Sequence, residues 1–222
     1  MTDAPPPAAA CAPAARPPAG RPPAGRPPAG RPAAASRAAP RAPALAIEKL
    51  PILVAPHRTL KLRCRPVAAA DDAAVRDLVA RMFATMYHAP GIGLAAPQVG
   101  VALRLAVIDL APDDKRTPHV LINPEIVAVS KELATREEGC LSLPNMYADV
   151  TRPAQVKVRY LDIDGARREI QGDGLLAACL QHELDHLDGV LFVDHLSALK
   201  RNMILRKLAK DQKAKEQTAG DR

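Results

Sequence analysis

Apolar residues spaced by three and four, Val75, Leu78, Val79, Met82, Phe83 and Met86, predict an amphipathic helix capped by Asp71 or Asp72. Its end falls at Tyr87 or His88, because Pro90 and Gly91 break the pattern and open a loop. The period then changes. Leu103 to Leu110, Val120 to Asn123, Ile126 to Ser130 and Gln155 to Leu161 are short runs rich in Val, Ile and Leu, which predict strands. In the last run Val156, Val158 and Tyr160 alternate with Gln155, Lys157 and Arg159, the mark of a half-buried antiparallel strand. Asp162-Ile163-Asp164-Gly165 reads as a turn into a returning strand near Arg168 to Gln171. Helical spacing resumes from Gly174 to Leu187, with Gly189 placed to end it, and a final helix runs from about Ser197 to Lys215. The expected class is α+β, mostly antiparallel strands packed around a central helix.

Composition sets the limits of that body. Residues 1–44 are almost entirely Ala, Pro, Arg and Gly, with Arg-Pro-Pro-Ala-Gly repeated three times from Arg16 to Gly30. Such a segment has nothing to bury and predicts a disordered tail with polyproline-II character. Three regions follow: the tail at 1–44, a catalytic domain at 45–196, and a basic C-terminal helix and tail at 197–222. Six Arg against one Asp give the first region a charge of +5; eight Lys or Arg against three acids give the last +5, which leaves the middle at −3. Basic ends of this kind suit a polyanion such as ribosomal RNA, as well as plain solvation. No run of 18 apolar residues and no secretory layout is present, so the expected location is the cytoplasm, away from membranes. Four scattered cysteines, Cys11, Cys64, Cys140 and Cys179, then point to reduced thiols or metal ligands.

The central helix holds Gln181-His182-Glu183-Leu184-Asp185-His186. Residues i and i+4 share a helix face, so His182 and His186 can aim imidazole nitrogens at one metal ion. Glu183 lies beside the first ligand and can reach a water on the metal, which suits a general base. Leu176, Leu180, Leu184 and Leu187 make the opposite side apolar and place the helix inside the domain. A catalytic site needs a third protein ligand. An ordinary peptidase with this motif would recruit one downstream, where Asp194 and His195 lie. Cys179 shares the face of His182, but about 7.5 Å of helical rise to the metal exceeds the roughly 5 Å reach of a cysteine and its metal bond, so it reads as core. Cys140 stands in an extended segment that can lie alongside the helix; its spacing alone fits a ligand and a buried structural thiol equally.

Three stretches, Gly91-Ile92-Gly93-Leu94-Ala95-Ala96-Pro97-Gln98, Glu138-Gly139-Cys140-Leu141-Ser142-Leu143-Pro144 and Gln181 to His186, resemble the three motifs of peptide deformylase in order and separation. The likeness covers roughly residues 45 to 215, and the last helix resembles that of the bacterial form common in Gram-negative cells. The resemblance implies that Cys140, His182 and His186 hold the metal. It makes Glu183 the acid and base, and gives Gln98 and the backbone N–H of Leu141 the oxyanion. Gly93 would let the substrate backbone approach, and Ile92 would line the methionine pocket. The implied substrate is the N-formylmethionyl nascent peptide, with formate released. The implied metal is Fe²⁺, although Zn²⁺, Ni²⁺ and Co²⁺ suit the same donors. Ribosome contact through the basic last helix follows from that task. Many relatives carry acidic residues just before the glycine loop, where this chain has His88-Ala89-Pro90, and some carry a basic residue at the position of Tyr147.

Overall fold

The computed structural model describes residues 47–70, 72–111 and 115–220. The segment 1–44, expected to be a disordered tail, lies outside them. Helix α1, Ala73–His88, starts where Asp72 Oδ1 accepts a hydrogen bond from the Ala74 amide at 2.7 Å, satisfying one of the amides a helix leaves free. Val75, Val79, Met82 and Met86 are buried, so the predicted apolar stripe is the packed one.

Seven strands follow the chain: β1 Gly93–Ala95, β2 Leu105–Ile108, β3 His119–Val129, β4 Leu133–Cys140, β5 Leu143–Pro153, β6 Gln155–Leu161 and β7 Arg167–Asp173. Five form an antiparallel sheet in the order β1-β2-β3-β6-β7, and β4 pairs with β5 as a separate two-stranded sheet. The runs at 120–123 and 126–130, expected as two strands, are one. Asn123 and Pro124 interrupt the apolar pattern, but Asn123 sits at a φ of 50° and exchanges hydrogen bonds of 2.8 Å with both backbone groups of Val67. The strand continues past it with shifted register. The run from Leu103 shortens to the four buried residues of β2, and the glycine loop contributes a strand of its own, β1.

Helix α2, Gly174–Leu187, lies against the five-stranded sheet. Ala177, Leu180 and Leu184 pack on Ile108, Leu121, Val156 and Val158. Leu180 is fully buried, and burial of such a side chain contributes about 1.5–3 kcal/mol. The helix stops where Gly189 takes a φ of 76°, and a Cβ there would lie 2.7 Å from the Lys61 carbonyl oxygen. Helix α3, Ala198–Gly220, runs further than the expected end at Lys215. Its Leu208 is buried in a cluster with Leu60, Val150 and Phe192, which ties the basic helix to the β4–β5 side of the domain. No described helix is long and apolar enough to cross a membrane.

Candidate metal centre and active site

Helix α2 presents His182 and His186 one turn apart, their rings edge to face with centroids separated by 4.9 Å. The end of β4 supplies Cys140, whose Sγ lies 3.3 Å from Nε2 of His186. One donor atom from each of the three residues falls within 4.8 Å of the others. Three such donors around one point could hold a metal and leave a tetrahedral position open. Their chemistry fits that use. Burial, reinforced by the charges of His182, Arg152 and Lys61, pushes His186 well below the usual histidine range, whereas in His182 burial is outweighed by the bonds to Cys140 and Glu138, which push it up. The Nδ1 of His182 meets Glu138 Oε2 at 2.8 Å, which leaves its Nε2 for a ligand bond.

Behind the donors runs an ionic chain, buried at Glu138 and Arg152, that the sequence did not reveal. Arg152 on β5 donates to both oxygens of Glu138, at 2.6 and 3.0 Å, and to Asp185 Oδ2 at 2.7 Å. His195 Nε2 closes the chain 2.7 Å from the same Asp185 oxygen. Burial opposes ionisation of Glu138, but hydrogen bonds from His182 and Arg152 outweigh it and lower its pKa to about 2. Glu138 was legible as part of a motif, yet not as a partner. The pairings join residues 14, 33 and 44 apart, and no local pattern carries them. The same chain disposes of the downstream ligand of a peptidase: His195 is held by Asp185, and Asp194 pairs with Lys61 and with the Leu191 amide. Cys179 stays in the core, where burial pushes its thiol pKa well up.

A cavity of about 530 Å³ opens beside the donors, lined by Ile92, Gly93, Gln98, Cys140, His182 and Glu183, with Leu141 at its wall. Glu183 is 3% exposed, and burial, with the charges of Glu138 and Asp185, pushes its pKa up to about 7 against the pull of His182. Its Oε2 is buried without a hydrogen-bond partner among the described residues. Gly93 is what makes room for it: a Cβ there would overlap the carboxylate and come 3.0 Å from Cys179 Sγ. The amide of Gln98 has a defined orientation, because Oε1 accepts from the Ala95 amide at 2.8 Å. Nε2 must then face Ser142 Oγ at 3.2 Å and Cys140 Sγ at 3.5 Å.

The model of the polypeptide deformylase family matches residues 49–202. The chain belongs to the peptide deformylase family. A peptide deformylase of Mesorhizobium japonicum is 53% identical over 166 residues, covering 73% of this chain and 94% of the relative. One of Methylocella silvestris is 55% identical over 167 residues, covering 73% and 85%. Among solved structures, the peptide deformylase of Legionella pneumophila shares 48% identity with a TM-score of 0.72, covering 76% of this chain and 98% of that one. The enzyme is a metal-dependent hydrolase that removes the formyl group from the N-terminal formylmethionine of nascent polypeptides and releases formate.

Proposed function

We propose that Cys140, His182 and His186 hold one divalent metal, ferrous iron in the cell, and that Glu183, Gln98 and Leu141 carry the proton and the charge of deformylation. The observation that supports this most directly is the convergence of one thiol and two imidazoles within 4.8 Å at a cavity wall that also holds Glu183 and Gln98. Bound there, the metal would activate a water and polarise the formyl carbonyl. The donor set also suits zinc, cobalt and nickel; iron is the family's usual metal.

Glu183 takes a proton from the water and gives it to the departing amine nitrogen, a shuttle suited to a carboxyl with pKa near neutrality. Gln98 Nε2, already fixed by the Ala95 amide, and the Leu141 N–H donate to the formyl oxygen as negative charge grows on it. Because Gln98 needs no reorientation, little ordering remains to be done at the moment of reaction. Ile92 forms part of the apolar wall for methionine. Among the described residues the cavity also lies between two sheet edges: β1 is the outer strand of the larger sheet, and β4 pairs with β5 alone. An extended peptide can hydrogen-bond along such edges, and Gly93 permits the close approach.

Three wider assignments belong to the same reading. The chain is organised as a tail at 1–44, a catalytic domain at 45–196 and a basic helix and tail at 197–222, and it works in the cytoplasm. Helix α3 exposes Lys200, Arg206, Lys207, Lys210 and Lys213, which suit the ribosome's RNA surface. Salt-sensitive co-sedimentation with ribosomes, lost on reversing these charges, checks that contact. The reaction is tested by turnover of formyl-Met-Ala-Ser with anaerobically purified, metal-loaded protein and formate quantification. Glu183→Ala should retain metal and release no formate. Wild type that binds metal without releasing formate would overturn the assignment.

A further inference from the structure

The ionic chain behind the donors returns to the helix it starts from. His182 and Asp185 both stand on α2, one turn apart, and the bonds between them run through Glu138 on β4 and Arg152 on β5. His195 joins this circuit from outside, from the short 3-10 turn Phe192–His195 that follows α2. The same turn also touches His182 directly: the Phe192 ring stacks on the imidazole, with centroids 6.3 Å apart and planes 21° from parallel. Asp185 Oδ2 accepts from Arg152 Nη1 and faces His195 Nε2, each at 2.7 Å. The proton of His195 must then sit on Nε2, because its other neighbour, Arg152 Nη1 at 3.4 Å, is itself a donor. Among the described residues these two side chains are the hydrogen-bond partners of the Asp185 carboxylate, so together they set where it points.

We propose that His195 is a positioning residue for the metal centre: by holding Asp185 it keeps Arg152 and Glu138 aligned on His182, and so slows departure of the metal. A guanidinium is planar and rigid, so the oxygen that meets Nη1 helps to fix how Nε and Nη2 meet Glu138. Glu138 Oε2 is the atom shared between that guanidinium and Nδ1 of His182. The direct partner of a ligating histidine changes metal affinity by about 10–100-fold. His195 acts three hydrogen bonds beyond that partner, on a carboxylate 24% exposed, so its share is smaller. The inference rests on the reading of Cys140, His182 and His186 as ligands, and adds to it a residue hydrogen-bonded to none of them.

The test loads the full chain with Co²⁺ and follows loss of the cobalt–thiolate absorption as a chelator withdraws the metal. His195→Leu should release cobalt about three- to tenfold faster than wild type. His195→Gln, whose amide N–H reaches as far along the side chain as Nε2, should stay within about twofold of wild type. Once Asp185→Ala has broken the link, adding His195→Leu should change the release rate no further, because the two residues act through one connection. Release unchanged by His195→Leu would overturn the inference and leave the ligand set standing. So would release from His195→Gln as fast as from His195→Leu, or effects of Asp185→Ala and His195→Leu that multiply in the double variant. Cobalt taken up without the thiolate band, or not taken up at all, would overturn the ligand reading and this inference with it.

Discussion

Replacing Arg152 by Leu isolates the worth of the buried ionic chain. The guanidinium is 7% exposed and makes two hydrogen bonds to a carboxylate that is equally buried. Without it, Glu138 keeps His182 as its partner but loses the cation that offsets its removal from water. Breaking a buried pair from one side costs about 3–5 kcal/mol, most of it the stranded charge. In a domain of this size each kcal/mol moves the midpoint by about 2–4 °C, so melting should fall by roughly 6–20 °C. The measurement belongs on metal-free protein, because a bound ion would stabilise the fold by mass action. The double variant Glu138→Leu/Arg152→Leu removes both charges and should regain much of the loss. Its metal affinity should stay about 10–100-fold below wild type, since His182 has lost the group that orients it. A single variant that melts within about 2 °C of wild type, or a double variant no more stable than the single, would refute the argument.

Three further outcomes follow from the site and its supports. Gly93→Ala forces the Glu183 carboxylate aside, so kcat should fall by about 100-fold while circular dichroism stays native, the penalty of a misplacement near 1 Å; unchanged kcat would mean the carboxylate has free room. Gln98→Leu removes a fixed donor and should lower kcat by about 100- to 1,000-fold with little change in KM, read by formate release. Asp109, buried at the end of β2, is opposed by desolvation, yet bonds from Tyr87 and the Thr117 and Ala111 amides hold its pKa below the ordinary 3.8. A lowered folded-state value gives stability that is complete above the unfolded pKa and drains as pH falls through the folded one. Asp109→Asn should therefore flatten the wild-type decline seen by denaturant unfolding below about pH 4.

Legibility in the sequence followed how local each cause was. The bounds of α2 and its two histidines were readable because a period of 3.6, an i,i+4 pair and a terminal glycine all act within a few residues. The β4–β5 hairpin was not read as strands, beyond an extended segment around Cys140. Most of β4 is exposed, so Leu133 to Cys140 alternates weakly and its one buried residue, Glu138, is polar. The continuous β3 was hidden for the opposite reason. Asn123 looks like a terminator, and its partner Val67 is 56 residues away. Of the candidate site, residue types and spacing pointed to the two histidines and the glutamate, and the resemblance implied Cys140, Gln98 and Leu141. The ionic chain from Glu138 to His195 needed coordinates.

The position of α2 in the chain shapes how this protein can acquire its structure. The helix that covers one face of the five-stranded sheet ends at Leu187, after all seven strands have been made. Until it emerges from the ribosome, Ile108, Leu121, Val156 and Val158 have no lasting cover, and most of the contacts that reward folding are distant in sequence. Stable packing of that face must therefore wait for nearly the whole domain, and a chain cut before Leu187 would leave those four residues without the apolar partners that α2 supplies.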